Sequence, residues 1–191
     1  MLLGVLVLAA LLGACGGKKA PTTTTGLSGY DAAPPWPLDG QQVKRMQAAG
    51  ITPLTAEGSI VHYHVHLDVF YDGAPVTVPA YVGIDIDAQR ISPMHTHTDA
   101  GVIHIEANSD ATFTLGQFLQ EWGPQVKGNC IADKCGADAV AYVNGVAQDG
   151  SAASVIIKAG QEIALVLGTK PASIPSSYDC TKRQDDACPT P

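Results

Sequence analysis

The order of apolar and polar positions divides the chain into an apolar leader, a polar linker and a region of strands. Residues 2–12 are uninterruptedly apolar, and residues 16–29 consist mainly of Gly, Thr and Lys. Residues 60–71 alternate between apolar and polar side chains, which is typical of a strand with one buried face. Short apolar segments separated by turn signals continue to residue 168. This pattern predicts a single, mainly β domain, antiparallel and either sandwich-like or α+β.

Two short helices are expected within this domain. Asp39 is a candidate N-cap for the first helix, which Gly50 ends. Thr114 followed by Gln117 matches a capping box and predicts a second helix that runs through Trp122. We expect four segments in all: a signal peptide over residues 1–14, a lipid-anchored flexible linker over 15–29, the His-rich β domain over 30–170 and a Cys/Pro-rich tail over 171–191.

The N-terminus has the features of an export signal. Its apolar run is about half the ~20 residues that a membrane span requires. The segment Leu12-Gly13-Ala14-Cys15 resembles a bacterial lipobox, in which the Cys is lipid-modified after cleavage, although residues 1–11 lack the usual basic n-region. The resemblance implies a protein of the cell envelope that is attached to the membrane through lipid on Cys15. It would face the periplasm or the exterior, at the outer membrane if the host has two membranes.

The five cysteines fit the same interpretation. If Cys15 carries lipid, four remain: Cys130, Cys135, Cys180 and Cys188. Outside the cytoplasm these are expected to form disulfides, for which three pairings are possible. Local pairing of Cys130 with Cys135 and of Cys180 with Cys188 is the simplest, because each bond closes a short loop. We interpret these cysteines as structural.

The charge balance narrows the choice of partner. The chain has 11 basic and 18 acidic residues and a net charge of −7. Nucleic-acid binding and polybasic membrane contact both require clustered Lys and Arg, so neither is expected. An acidic surface attracts cations instead. The sequence indicates no particular protein partner.

All six histidines lie between residues 62 and 104. His62, His64 and His66 occupy alternate positions of the first predicted strand, so they share one face at a spacing of roughly 6.5–7 Å. Two such imidazoles can converge on one metal ion.

A second group of histidines follows in a predicted hairpin. With a two-residue turn at Ala100-Gly101, His97 would face His104 and His95 would face Glu106. A three-residue loop would change this register.

Taken together, these positions predict a transition-metal site, because imidazole is the commonest ligand for such ions. The expected ion is copper or zinc, for buffering, sequestration or transfer. The candidate ligands are His62, His64, His66, His95, His97, His104 and Glu106.

Three alternatives remain open at this point. A three-histidine site with an open fourth position could activate water for hydration or hydrolysis, with Glu106 as the general base. Clustered histidines could instead sense pH. The domain could also be a metal-independent module for protein contacts in the cell envelope.

Several segments together resemble a family of exported, largely uncharacterised bacterial and archaeal proteins. They are His62-x-His64-x-His66-Leu67, His95-Thr96-His97, and residues 101–106 and 113–118. The resemblance covers about residues 55–170. It implies a single domain with a histidine-centred site and brings no settled activity.

Overall fold

A computed structural model describes residues 27–178 of the chain. The predicted lipobox-like segment around Cys15 and the cysteines Cys180 and Cys188 lie outside the described residues. Within residues 27–178, no helix is both long enough and apolar enough to cross a membrane.

The described chain contains twelve strands. In chain order they are β1 (Val61–Tyr71), β2 (Ala74–Val76), β3 (Ile84–Asp85), β4 (Arg90–Ile91), β5 (Met94–His95), β6 (Val102–Ala107), β7 (Val126–Lys127), β8 (Cys130–Ile131), β9 (Lys134–Cys135), β10 (Ala139–Val143), β11 (Val146–Ala147) and β12 (Glu162–Leu167).

Seven of these strands form the main sheet, in the order β11-β10-β12-β1-β6-β5, with β2 also paired to β1. The pairing of β1 with β12 is parallel and the other pairings are antiparallel. Two smaller sheets contain β3-β4 and β7-β8-β9. The predicted mainly β class is therefore confirmed, with one parallel pair at the centre of the main sheet.

Two helices accompany the sheet, α1 (Gln42–Ala48) and α2 (Leu115–Trp122). The predicted capping box of α2 is present, since the Thr114 side chain accepts from the Gln117 backbone N–H and the Gln117 side chain accepts from the Thr114 N–H. Asp39 does not cap α1. Its carboxylate instead accepts from the backbone N–H of Gln41 and forms a 2.6 Å ion pair with Arg45.

The alternation in β1 separates a core face from a polar face, as the sequence pattern predicts. Val65, Leu67 and Val69 are buried in one apolar cluster with side chains from both helices, among them Met46 and Phe118. The histidines of β1 occupy the alternate positions. The helices therefore cover the apolar face of β1, and the histidines occupy its polar face.

The apolar segment 155–158 does not form a strand and contributes only an isolated bridge from Ile156 to Thr114. The Lys158 N–H is bonded to the Gln161 side chain, so the chain turns here before β12. A disulfide joins Cys130 to Cys135 across the β8–β9 hairpin. This is the local pairing that the spacing favours.

Candidate metal centre

Three neighbouring strands place a row of imidazoles across the polar face of the sheet. His64 of β1 lies opposite His104 of β6, and His104 in turn lies opposite His95 of β5. One step along the β1–β6 ladder, His62 lies opposite Glu106. Directly opposed residues share a face and lie about 5 Å apart. The register therefore brings together ligands that are far apart in sequence.

The β5–β6 hairpin has a different register from the one that the two-residue turn predicts. His95 faces His104 and Met94 faces Ile105, whereas the expected partner of His104 was His97. The connection is longer than two residues, so the pairing shifts by two positions. A shift of two retains the face of every side chain. The predicted set of histidines thus remains on one face although the predicted pairs are wrong.

Thr96 explains why His95 and His97 point in the same direction. Its buried hydroxyl donates to the Pro79 carbonyl and accepts from the Val82 N–H. Its backbone N–H also donates to the Val82 carbonyl. Thr96 is thereby held against residues 79–82, and the histidines on either side of it are directed to the opposite side.

Gly101 allows the same connection to approach β1 closely. Its φ is +84°, and a Cβ at this position would lie 2.5 Å from the Leu67 carbonyl oxygen. The Gly101 carbonyl accepts from the Leu67 N–H. A larger residue would displace the connection between the two histidine-bearing strands.

Two pairs of imidazole nitrogens face each other at the same short distance. The Nε2 atoms of His62 and His64 are 3.1 Å apart, and those of His95 and His97 are also 3.1 Å apart. The ring planes meet at 81° in the first pair and 85° in the second. Two nitrogens bound to one tetrahedral ion at about 2.0–2.1 Å are separated by about 3.3 Å. Both pairs therefore have the spacing of two ligands on one ion.

Two carboxylates accompany the imidazoles. Glu106 Oε1 lies 3.2 Å from His62 Nε2 and 3.4 Å from His104 Nδ1. Glu57, which the sequence analysis did not identify, places Oε1 3.5 Å from His97 Nε2. Burial raises the pKa of Glu106, and the neighbouring charge of Glu57 raises it further. A cation among these groups would relieve the repulsion between the two carboxylates.

The buried imidazoles are held in the neutral form. Burial lowers the pKa of His95 to about 4, with further lowering by His97 and His64. Burial and the adjacent imidazoles, His95 first, lower the pKa of His104 to about 3. A neutral imidazole has a lone pair for a metal ion, whereas an imidazolium has none. Both rings are therefore able to bind an ion at neutral pH without losing a proton.

A hydrogen bond to the backbone carbonyl of Ser92 orients the ring of His95. Its Nδ1 lies 2.9 Å from the Ser92 carbonyl oxygen, which only accepts, so Nδ1 carries the proton. The Nε2 lone pair then points towards His97. A hydrogen bond of this kind fixes the tautomer of metal-binding histidines.

The Ser92 side chain extends this arrangement into the core. Its hydroxyl donates to Glu121 Oε1 at 2.6 Å, and it accepts from the Met94 N–H. Glu121 is fully buried, and burial raises its pKa to about 8. The carboxyl is consequently protonated at neutral pH.

One side of the cluster is buried and the other side is exposed to solvent. His64, His95, His104 and Glu106 are buried. The side chains of His62, His97 and Glu57 remain 60%, 38% and 52% exposed. Ions in solution can therefore reach the cluster from the side of His62, His97 and Glu57.

His66 shares the polar face of β1 but is engaged elsewhere. Its Nδ1 lies 2.8 Å from Glu162 Oε2, its Nε2 lies 2.9 Å from the Ala100 carbonyl oxygen, and its ring stacks on Tyr178. Both ring nitrogens already have partners in the protein. His66 therefore fastens β1 to β12 and to the β5–β6 connection.

Donor atoms lie within 4.8 Å of one another in several overlapping sets. The structure thus brings together six of the seven predicted ligands, adds Glu57, and groups His66 separately with Asp68 and Glu162. The main sets are His62/His64/His104/Glu106, His95/His97/His104 and Glu57/His95/Glu106.

Comparison with known proteins gives no relative from which a function could be transferred. No protein-family model matches the chain, and no curated protein or solved structure matches it either. The chemistry of the cluster is therefore argued from its own residues.

Proposed function

We propose that this protein binds divalent copper or zinc through the cluster of five histidines and two glutamates around His104. The observation that carries the proposal is the pair of 3.1 Å Nε2–Nε2 contacts, His62 with His64 and His95 with His97. In the metal-free protein one proton can be shared within each contact. If a metal ion binds both Nε2 lone pairs, that proton would move to the Nδ1 atom of its own ring, because each neutral imidazole keeps one N–H.

The donor set supports copper(II) or zinc over harder and softer ions. Imidazole nitrogen with carboxylate oxygen suits Zn²⁺ and Cu²⁺, whereas Ca²⁺ and Mg²⁺ prefer sites built from oxygen alone. A thioether would favour Cu(I), but Met94 is fully buried on the opposite face of β5 from His95. Among residues 27–178, the cluster therefore offers nitrogen and oxygen donors without sulfur.

The position of Glu106 favours a role as ligand. Its Oε1 lies 3.2 Å from a nitrogen donor, and the side chain is buried within the set. A general base would instead lie beside the open coordination position, where it could reach a bound water. We therefore propose binding for buffering, sequestration or transfer, with the carboxylate balancing the charge of the ion.

We further propose that the protein works outside the cytoplasm, anchored by lipid on Cys15. The lipobox-like segment and the Gly/Thr-rich linker support this. The Cys130–Cys135 disulfide supports it independently, because such bonds persist mainly in oxidising compartments. An envelope protein with exposed histidines would meet copper and zinc ions directly.

Metal binding by the tag-free, full-length protein tests the proposal. After equilibrium dialysis against buffered Zn²⁺ or Cu²⁺, metal analysis should show stoichiometric binding, and the His95→Ala/His97→Ala variant should bind less metal than the wild type. Met94→Leu is the matched control, since it changes the same segment on the opposite face and should bind like the wild type. Absence of bound metal in the wild type would contradict the proposal.

A further inference from the structure

The cluster contains more donors than one ion uses. Five imidazoles and two carboxylates converge, whereas zinc in proteins almost always takes four ligands and copper sites take a similar number. Some of these groups must therefore be idle, or the cluster must hold a second ion.

The imidazoles divide into two sets that meet at His104. His62 and His64 belong to the first set, His95 and His97 to the second, and His104 to both. Two ligands of one ion with bonds of at most about 2.2 Å cannot be more than about 4.4 Å apart. Within each His-x-His pair the two Nε2 atoms are already 3.1 Å apart, close to the separation of two ligands on one ion.

The ring geometry places His104 between the two pairs. Its centroid lies 4.5 Å from that of His64 and 4.4 Å from that of His97, with ring planes at 81° and 88°. Each pair also combines a buried member with an exposed one. His64 and His95 are the buried members, and His62 and His97 are the exposed ones.

Each exposed histidine has a carboxylate beside it, and both carboxylates also group with His95. Glu106 Oε1 lies 3.2 Å from Nε2 of His62 in the first pair, and Glu57 Oε1 lies 3.5 Å from Nε2 of His97 in the second. Each pair of imidazoles thus has an acidic group that can balance an additional positive charge.

We propose that the cluster is a two-ion centre, in which His62, His64 and Glu106 hold one divalent ion and His95, His97 and Glu57 hold the other. His104 lies at the junction, and its single lone pair can complete one of the two subsites at a time. This inference rests on the proposed metal binding and specifies how the same residues are divided. It identifies the protein as a carrier of two transition-metal ions per chain.

Native mass spectrometry of the full chain titrated with zinc tests this division. The wild type should bind two zinc ions. His62→Ala/His64→Ala and His95→Ala/His97→Ala should each retain one. His66→Gln is the matched control on the same face of β1, and it should retain two, because both nitrogens of His66 are bonded within the protein.

The possible results separate the inference from the proposed function. Binding of a single ion that either double variant abolishes would overturn the two-ion centre while leaving metal binding intact. No bound zinc in the wild type would overturn the two-zinc centre, and would overturn metal binding as well if copper(II) titrated in the same way is also not bound. Loss of one ion in His66→Gln would place the second ion beside Glu162 and overturn the assignment.

If a double variant does not fold, the single variants His62→Ala and His97→Ala, at exposed positions, should each weaken one of two binding steps at least tenfold. Equal weakening of both steps by each variant would contradict separate subsites.

Discussion

His95 lies directly opposite His104 across the β5–β6 ladder, and its Nδ1 is bonded to the carbonyl of Ser92. The ring is therefore fixed by the backbone before any ion arrives. Preorganisation of this kind reduces the ordering that a ligand must impose on binding. It also confines His95 to an interior position, where protonation is unfavourable.

The first prediction concerns the protonation of the buried imidazoles. In the metal-free protein, His95 and His104 should remain neutral from pH 7 down to pH 5, because burial lowers their pKa values to about 4 and about 3. Imidazole ¹⁵N chemical shifts measure this directly. In the urea-unfolded chain the same residues should titrate near the usual value of about 6.5. Midpoints near 6.5 in the folded protein would contradict the burial that the structure assigns.

The same shifts predict how stability changes in acid. The unfolded chain takes up protons at these two histidines below about pH 6.5, whereas the folded chain does so only near their lowered pKa values. The free energy of unfolding of the metal-free protein should therefore fall as the pH decreases from about 6.5 towards 4. Urea unfolding at a series of pH values measures this slope.

Glu121 should have the opposite effect at higher pH. Its pKa is about 8 in the folded protein and close to the ordinary 4.5 in the unfolded chain. Unfolding therefore releases a proton between these values, and the wild type loses stability as the pH rises through this range. Glu121→Gln removes the ionisable group, so its melting temperature relative to the wild type should increase from pH 5 to pH 8. A difference that is independent of pH would show that Glu121 is not a buried neutral acid.

His66→Ala should destabilise the fold without removing the metal site. The substitution leaves Glu162 buried without its imidazole partner and removes the bond to the Ala100 carbonyl. Loss of one member of a buried polar pair costs about 3 kcal/mol. Urea unfolding of the metal-free protein measures this loss. Zinc affinity at 10 °C, where the variant remains folded, should stay within threefold of the wild type.

Removal of the disulfide should be a purely structural change. Cys130 and Cys135 are five residues apart, and closure of so short a loop stabilises the folded chain by about 2 kcal/mol. Cys130→Ser/Cys135→Ser should lower the free energy of unfolding by that amount and leave the zinc stoichiometry unchanged. A parallel loss of zinc would connect the β8–β9 hairpin to the histidine cluster and contradict a purely structural role for the disulfide.

The strands and the shared face of the histidines could be predicted because alternation has a period of two. His62, His64 and His66 were placed on one face by position alone, and the hairpin register could shift by two residues without moving His95 or His97 to the other face. The periodic pattern thus predicted which side chains share a face, even where it did not predict their partners.

The remaining features depend on contacts between distant parts of the chain. Glu57 lies in an irregular segment with no periodic pattern, so nothing in the sequence placed it beside His97. Glu162 meets His66 through a parallel pairing of strands separated by nearly a hundred residues. The register of the β5–β6 hairpin and the parallel pairing of β1 with β12 depend on contacts between distant residues. A local sequence pattern carries no information about such contacts.

X-ray absorption at the zinc edge shows which protein atoms bind the ion. The full-length protein loaded with one equivalent of zinc should show nitrogen ligands at about 2.0 Å, with the multiple scattering of at least two imidazoles per ion. The variant that lacks both pairs, His62→Ala/His64→Ala/His95→Ala/His97→Ala, should lose this imidazole signal. A shell of oxygen ligands alone, without imidazole scattering, would contradict metal binding by the histidine cluster.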